Sequence, residues 1–282
     1  MKQNYLKTKP LNFNVGLQRW YVRELTKLVK DMTDEVLKEI KPLYKDNQEQ
    51  IKFTTDDSIS SQIRIILNSL RKKYGDKFNK RGKELAKKMV KKINRYANTT
   101  FSRLIKEVFK NNETKSKGFL LSGSAITPEK EEVMKALIYN NVNYITSIEE
   151  RYFTQITGVV MRSIENGLGV SHVEKELQKY YGENKRKARN VALDQTRKAY
   201  NSINMRNMQD AGVKKFEWIH SGGSQKPRKY HMENYPKGLN HGIFDLDKGA
   251  PNEEGKSPSF IYPGQEPYCH CRMAAVIEFD LS

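Results

Sequence analysis

The chain has 282 residues, of which 37% are hydrophobic and 30% charged, and its net charge is +18. That length allows one or two domains, and the composition suits a soluble protein with modest cores. There is no run of roughly 18 apolar residues, which excludes a membrane-spanning helix, and two cysteines are too few for a disulfide framework.

The first ten residues, MKQNYLKTKP, have no apolar stretch behind their charges. The expectation is therefore a protein without a secretory signal, first used in a cytoplasm. The charge is uneven along the chain. Residues 1–118 hold 29 Lys/Arg against 13 Asp/Glu, and residues 71–117 alone hold 17 against 4. A solvated surface usually mixes signs. This imbalance points instead to a polyanion such as nucleic acid.

Leu17 to Ile40 reads as an amphipathic helix, with Leu17, Tyr21, Leu25, Leu28, Met32, Val36 and Ile40 three or four residues apart, ended by Pro42. A second helix is expected from Ile59 through Ile63, Leu67 and Leu70 to Tyr74, with Gly75 as its break. A third follows from Phe78 to Val108. Opposite its apolar stripe stand Lys80, Arg81, Lys83, Lys87, Lys88, Lys91, Lys92 and Arg95, the candidate DNA-binding face. The Gly- and Ser-rich stretch from Thr114 to Thr127 reads as a linker.

Thr127-Pro128 marks a new helix start. Ser147 with Glu150 and Ser171 with Glu174 each match a capping box. They predict separate helices from Ile148 to Gly167 and from Ser171 to about Gly182. A last helix is expected from Lys185 to Ala211, closed by Gly212. The period then changes: Val213, Phe216 and Trp218 read as a strand, and Met273 to Phe279 as another. Trp218 is expected to be a core anchor. The long stretch between the strands, Ser221 to Pro267, needs something to hold it.

The expected fold is mainly α with a small C-terminal α+β module. Long amphipathic helices precede a short antiparallel strand pair with a long connecting loop. The expected divisions are a basic helical region over 1–117, a linker over 118–126 and a second domain over 127–282, with the strand and loop module at 212–282.

Several motifs in the second half occur in a distinctive order. ARNVALDQTRK (188–198) leads to AGVKKFEW (211–218). PRKYH (227–231), GLNHGIF (238–244) and YPGQEPYCHCR (262–272) follow. Upstream lie NVNYITSI (141–148) and GLGVS (167–171). This order resembles the phage head morphogenesis family, the Mu F-like minor head proteins, over roughly residues 127–279. The resemblance implies a bacteriophage virion protein in the capsid interior near the portal, with no catalytic residues. It implies association with the portal protein, the company of scaffold and major capsid protein, and contact with double-stranded DNA during packaging or ejection.

The same module contains metal-ligating residue types. Cys269 and Cys271 are soft ligands one residue apart, and His231 and His241 lie upstream. A structural zinc ion takes four N or S ligands, so Cys269, Cys271, His231 and His241 form a candidate set that would staple the long loop. The other reading makes both cysteines small buried residues at the entry of the last strand and the histidines surface groups. Three functions follow from these features. One is a structural head protein that binds portal and DNA. Another is a portal scaffold without DNA affinity. The third is a metal-dependent nuclease using His231, His241 and Asn240 with Asp245 and Asp247. Asp194, between Arg189 and Arg197, is expected to make ion pairs within its helix.

Overall fold

The computed structural model describes residues 5–45, 59–110, 126–168, 170–222 and 226–278. Its elements in chain order are β1 (Tyr5–Lys7), α1 (Val15–Lys45), α2 (Ile59–Lys110), α3 (Pro128–Glu165), α4 (Val170–Asp210), β2 (Lys215–Ile219), α5 (Lys229–Met232), β3 (Ile243–Asp245), β4 (Ala250–Pro251), β5 (Phe260–Ile261) and β6 (Arg272–Glu278). The mainly helical chain with a small C-terminal sheet agrees with the expected fold class. The residues form two compact units, both discontinuous in sequence. One contains Met1–Gln18, Met89–Leu137 and Leu193–Ser282, and the other Arg19–Lys88 and Ile138–Ala192. Each draws on residues from both sides of the expected 118–126 linker, of which 118–125 lie outside the described residues.

The second unit is helical. Its core contains members of the stripes expected of α1 and α2, Tyr21, Leu25, Met32, Val36 and Ile40 and Ile63, Leu67, Leu70, Tyr74 and Phe78, joined by Ile148, Tyr152, Phe153 and Ile156 of α3, all buried. The Tyr21 hydroxyl donates to Asn141 Oδ1 at 3.2 Å. The Tyr74 hydroxyl donates to Glu35 Oε2 at 2.6 Å.

The helices are longer and fewer than expected. Pro42 lies inside α1, which runs on to Lys45. The two helices predicted around Gly75 are one helix, α2. A mid-helix glycine costs about 1 kcal/mol, and the buried Tyr74 and Phe78 on either side of it offset that cost by packing. Ser147 does not open a helix. It sits within α3, and its hydroxyl returns to the Tyr144 carbonyl at 2.9 Å, the mid-helix bond available to serine. Gly182 likewise lies within α4, which is continuous from Val170 to Asp210.

The other punctuation behaves as read. Thr127 Oγ1 accepts the Lys130 N–H at 3.2 Å and caps α3. Gly167 follows α3 with φ of 64°, and the Leu168 N–H reaches back to Ser163 O at 2.7 Å. Gly212 follows α4 with φ of 76°, and the Val213 N–H reaches Met208 O at 2.9 Å. Both are glycine-terminated helix ends of the kind the sequence indicates.

The first unit carries the sheet. Its four strands are ordered β1-β6-β2-β3 and all neighbours are antiparallel. The expected pair is β2 with β6, registered Lys215↔Val276 through Ile219↔Arg272. The sequence reading did not anticipate β1, which flanks β6 with Tyr5↔Glu278 and Lys7↔Val276. Nor did it anticipate β3 on the far edge. Met273 to Ile277 of β6 are buried without interruption, as expected for a strand that has a neighbour on each side and is covered on both faces. The connecting segment holds α5 and a hairpin of β4 with β5.

Two tests follow from the helical unit. A Cβ on Gly82 of α2 would lie 3.0 Å from Ile145 Cγ2 of α3. Gly82→Val should therefore lower stability by about 1–3 kcal/mol, measurable as a shift of the urea midpoint. Glu149 is buried, and desolvation raises its carboxyl to about 7 against the opposing pull of Arg71. The folded state then binds a proton that the unfolded chain releases above its ordinary carboxylate range, so Glu149 costs stability as pH rises from about 4.5 through 7. Glu149→Gln should stabilise the protein at pH 8 by about 1–3 kcal/mol and change little at pH 4, as read by thermal melts at the two pH values.

Candidate functional site

The loop from β2 to β6 folds back so that its ends lie together. In a strand, alternate residues share a face, so His220 follows Trp218 on one side of β2 and meets the Cys turn that precedes β6. Its Nδ1 lies 3.7 Å from Cys271 Sγ. The short helix α5 supplies His231, whose Nδ1 lies 3.6 Å from Cys269 Sγ and 3.9 Å from Cys271 Sγ. The ligand atoms of His231, Cys269 and Cys271 all lie within 4.8 Å of one another, and all three residues are buried. Among the described residues this is the group of His, Cys, Asp and Glu side chains placed to hold one ion.

The group is held from behind. Glu266 Oε2 lies 2.9 Å from His231 Nε2 and 3.2 Å from Arg228 Nε, at ion-pair distance from both. The Arg228 and His231 of the PRKYH motif thus converge on the Glu266 of the YPGQEPYCHCR motif. Trp218 is fully buried, as expected of a core anchor, and meets the His231 ring edge-on at 4.9 Å. Cys271 hydrogen-bonds Cys269, and this, helped by His231, holds Cys269 well below the ordinary thiol range despite burial. The same bond, with burial, pushes Cys271 up. The two shifts run in opposite directions and favour the charged form on Cys269 over Cys271, and a thiolate is the form that binds metal.

Helix α4 fixes the turn from its flank. Asp194 Oδ1 accepts the Tyr268 N–H at 3.0 Å, while Oδ2 pairs with Lys198 at 2.9 Å. The expected ion pair within the helix is thus present, but its cation at close range is Lys198 rather than Arg189 or Arg197. Asn201 Nδ2 donates to Pro263 O at 2.8 Å and Cys271 O at 3.4 Å. Gly264, with φ of 77°, brings the turn against this amide, and a Cβ there would lie 2.1 Å from Asn201 Nδ2.

Of the four residues read as metal ligands, the structure assembles His231, Cys269 and Cys271 and leaves His241 apart. His241 sits in a tight turn with φ of 59°, and its Nδ1 meets Glu217 Oε1 at 3.0 Å. That buried carboxylate also pairs with Lys7 at 3.1 Å. The carboxylates of the nuclease reading are occupied elsewhere: Asp245 caps the turn at Asp247 and Lys248, and Asp247 accepts from Gln209. The sequence reading missed His220, Glu266 and Asn201. Only His220 had a readable signal, its two-residue step from Trp218.

The motifs that frame this site lie in a stretch that also matches a known family. Residues 154–274 match the family model described as Phage Mu protein F like protein. This stretch is similar to the phage Mu F-like family. It is the family expected from the motif order, and it includes His220, His231, Glu266, Cys269 and Cys271. The chain is also 22% identical over 276 residues to an uncharacterized protein of Haemophilus influenzae (strain Rd), covering 96% of this chain and 56% of the relative. It thus spans little more than half the length of that relative. No solved structure matches. Among the described residues no helix is long and apolar enough to cross a membrane.

The eight basic residues of the candidate DNA face, Lys80, Arg81, Lys83, Lys87, Lys88, Lys91, Lys92 and Arg95, are all exposed on α2. Arg81 pairs with Glu84 at 2.9 Å and Glu24 at 3.6 Å. Lys88 lies over the Trp20 ring at 5.6 Å.

The Cys turn yields one test of how the Mu F-like region is held. Gly264→Ala must both strain a left-handed backbone and displace the Asn201 amide. It should cost about 1–3 kcal/mol, seen as a lower denaturation midpoint, and Asn201→Ala should cost a similar amount by orphaning two carbonyls.

Proposed function

We propose that the protein is a phage minor head component that acts as a structural part of the virion. In this reading the Mu F-like region docks on the portal, and α2 lies against double-stranded DNA in the capsid interior. The observation that carries the reading is the basic surface of α2. Its eight cations span roughly half the helix circumference at about 100° per residue, while Leu85, Met89 and Ile93 on the other side are buried. Four lysines, Lys87, Lys88, Lys91 and Lys92, are two adjacent pairs one helical turn apart. That spacing follows a phosphate backbone rather than a single small anion. Contacts of this kind position a protein without reading sequence, which suits a component that must accept any stretch of a packaged genome.

The family is structural in character, and the Asp245 and Asp247 carboxylates are tied into turns. Both support a role in binding over one in catalysis. Filter binding with duplex DNA at about 50 and 200 mM salt tests the DNA half, because counterion release makes such affinity fall by two or more orders of magnitude over that range. Replacing Lys87, Lys88, Lys91 and Lys92 with Gln should reduce the log–log salt slope by about 3 to 4. Salt-independent or undetectable binding by the wild type removes DNA as the partner. Co-purification with portal in that case would assign the basic face to acidic protein instead.

A further inference from the structure

We propose that the Mu F-like region binds one structural zinc ion through Cys269 Sγ, Cys271 Sγ and His231 Nδ1, with His220 Nδ1 closing the tetrahedron. A tetrahedral zinc site has metal–sulfur bonds of about 2.3 Å and metal–nitrogen bonds of about 2.0 Å. Its ligand atoms therefore stand about 3.3–3.8 Å apart, with sulfur–nitrogen edges of about 3.5 Å. The separations of His231 Nδ1 from the two sulfurs, 3.6 and 3.9 Å, lie close to such edges. His220 Nδ1 lies 3.7 Å from Cys271 Sγ, outside the closest group of three ligands but next to it.

The chemistry of the donor set agrees with the geometry. Two sulfurs and two imidazole nitrogens select zinc over magnesium or calcium, which take oxygen. His231 turns Nδ1 toward the sulfurs while its Nε2 lies 2.9 Å from Glu266 Oε2. A carboxylate behind a histidine fixes the tautomer that leaves the other nitrogen's lone pair for metal. Glu266 is itself oriented by Arg228 at 3.2 Å. The burial of all three principal ligands suits a closed structural site rather than a catalytic one with an open position. The ion would join the end of β2, α5 and the entry of β6, three points of a long connection that contains little regular structure. This inference does not depend on either the portal or the DNA reading.

The test uses the full chain, produced with zinc and dialysed exhaustively. Elemental analysis should find one zinc per chain, and a chelator should lower the melting temperature, with recovery when zinc alone is added back. The Co²⁺-substituted protein should show the intense visible bands of a tetrahedral ion together with sulfur-to-metal charge transfer. Cys269→Ser and His231→Ala should lose the metal, and Glu266→Gln should weaken it by about 10- to 100-fold. His220→Ala should shift the cobalt spectrum, and His241→Ala should leave it unchanged. Substoichiometric zinc together with a melting temperature indifferent to chelator overturns the proposal, and this wild-type measurement decides even if the cysteine variant fails to fold. A spectrum unmoved by His220→Ala removes His220 from the set. Loss of metal in His241→Ala overturns the ligand assignment.

Discussion

The ladder between β2 and β6 ties Lys215–Ile219 to Arg272–Val276, and the organisation of the C-terminal half depends on it. Closing a loop of that length costs about 3–4 kcal/mol in chain entropy beyond a constant term. It is repaid by backbone pairing and by burying Phe216, Trp218 and the whole of Met273–Ile277. Once those strands pair, the Cys turn must stand beside the end of β2. His231 then needs only the short α5 to reach it. The cluster of soft ligands is thus a consequence of strand register, and Asp194 and Asn201 of α4 hold the turn at a fixed height against the helix.

The same register separates what could be read in the sequence from what could not. The apolar stripes of α1 and α2 were visible because a 3.6-residue period is a local property, and most of their members are buried. The helix ends were misplaced wherever a local breaker met strong packing. Gly75 and Gly182 each carry a propensity penalty near 1 kcal/mol and Ser147 about 0.5 kcal/mol, less than the burial around them returns. Gly167 and Gly212 were read correctly because there the glycine does what other residues resist, taking positive φ at a helix end.

At the site, Cys269, Cys271 and His231 were legible as residue types with an affinity for metal. His241, also expected among the ligands, stands apart from the sulfurs, and His220 lies beside them, for a reason outside the sequence. Both histidines flank the same strand region, and only the pairing of β2 with β6 reveals which one looks at the sulfurs. His241 Nδ1 instead lies 3.0 Å from the buried Glu217, which Lys7 of β1 also pairs with. Glu266 was invisible as a supporting group because its partners, Arg228 and His231, lie some 35 positions upstream, beyond any spacing rule. The strand β1 escaped for the same reason: three residues, Tyr5–Lys7, carry no pattern, and their partner is at the other end of the chain.

That small strand has a disproportionate effect. β6 offers an uninterrupted apolar run, Met-Ala-Ala-Val-Ile, to its neighbours. β1 occupies the edge of β6 that β2 leaves open, and Thr8 extends the cover by bonding to Ala275 from both its backbone and its hydroxyl. With β1 peeled away, that edge would present unpaired amides along a greasy, flat strand, the template on which polypeptides add to one another end over end. In a setting where many copies gather, β1 works as a guard rail that keeps the sheet of one molecule from growing into the next.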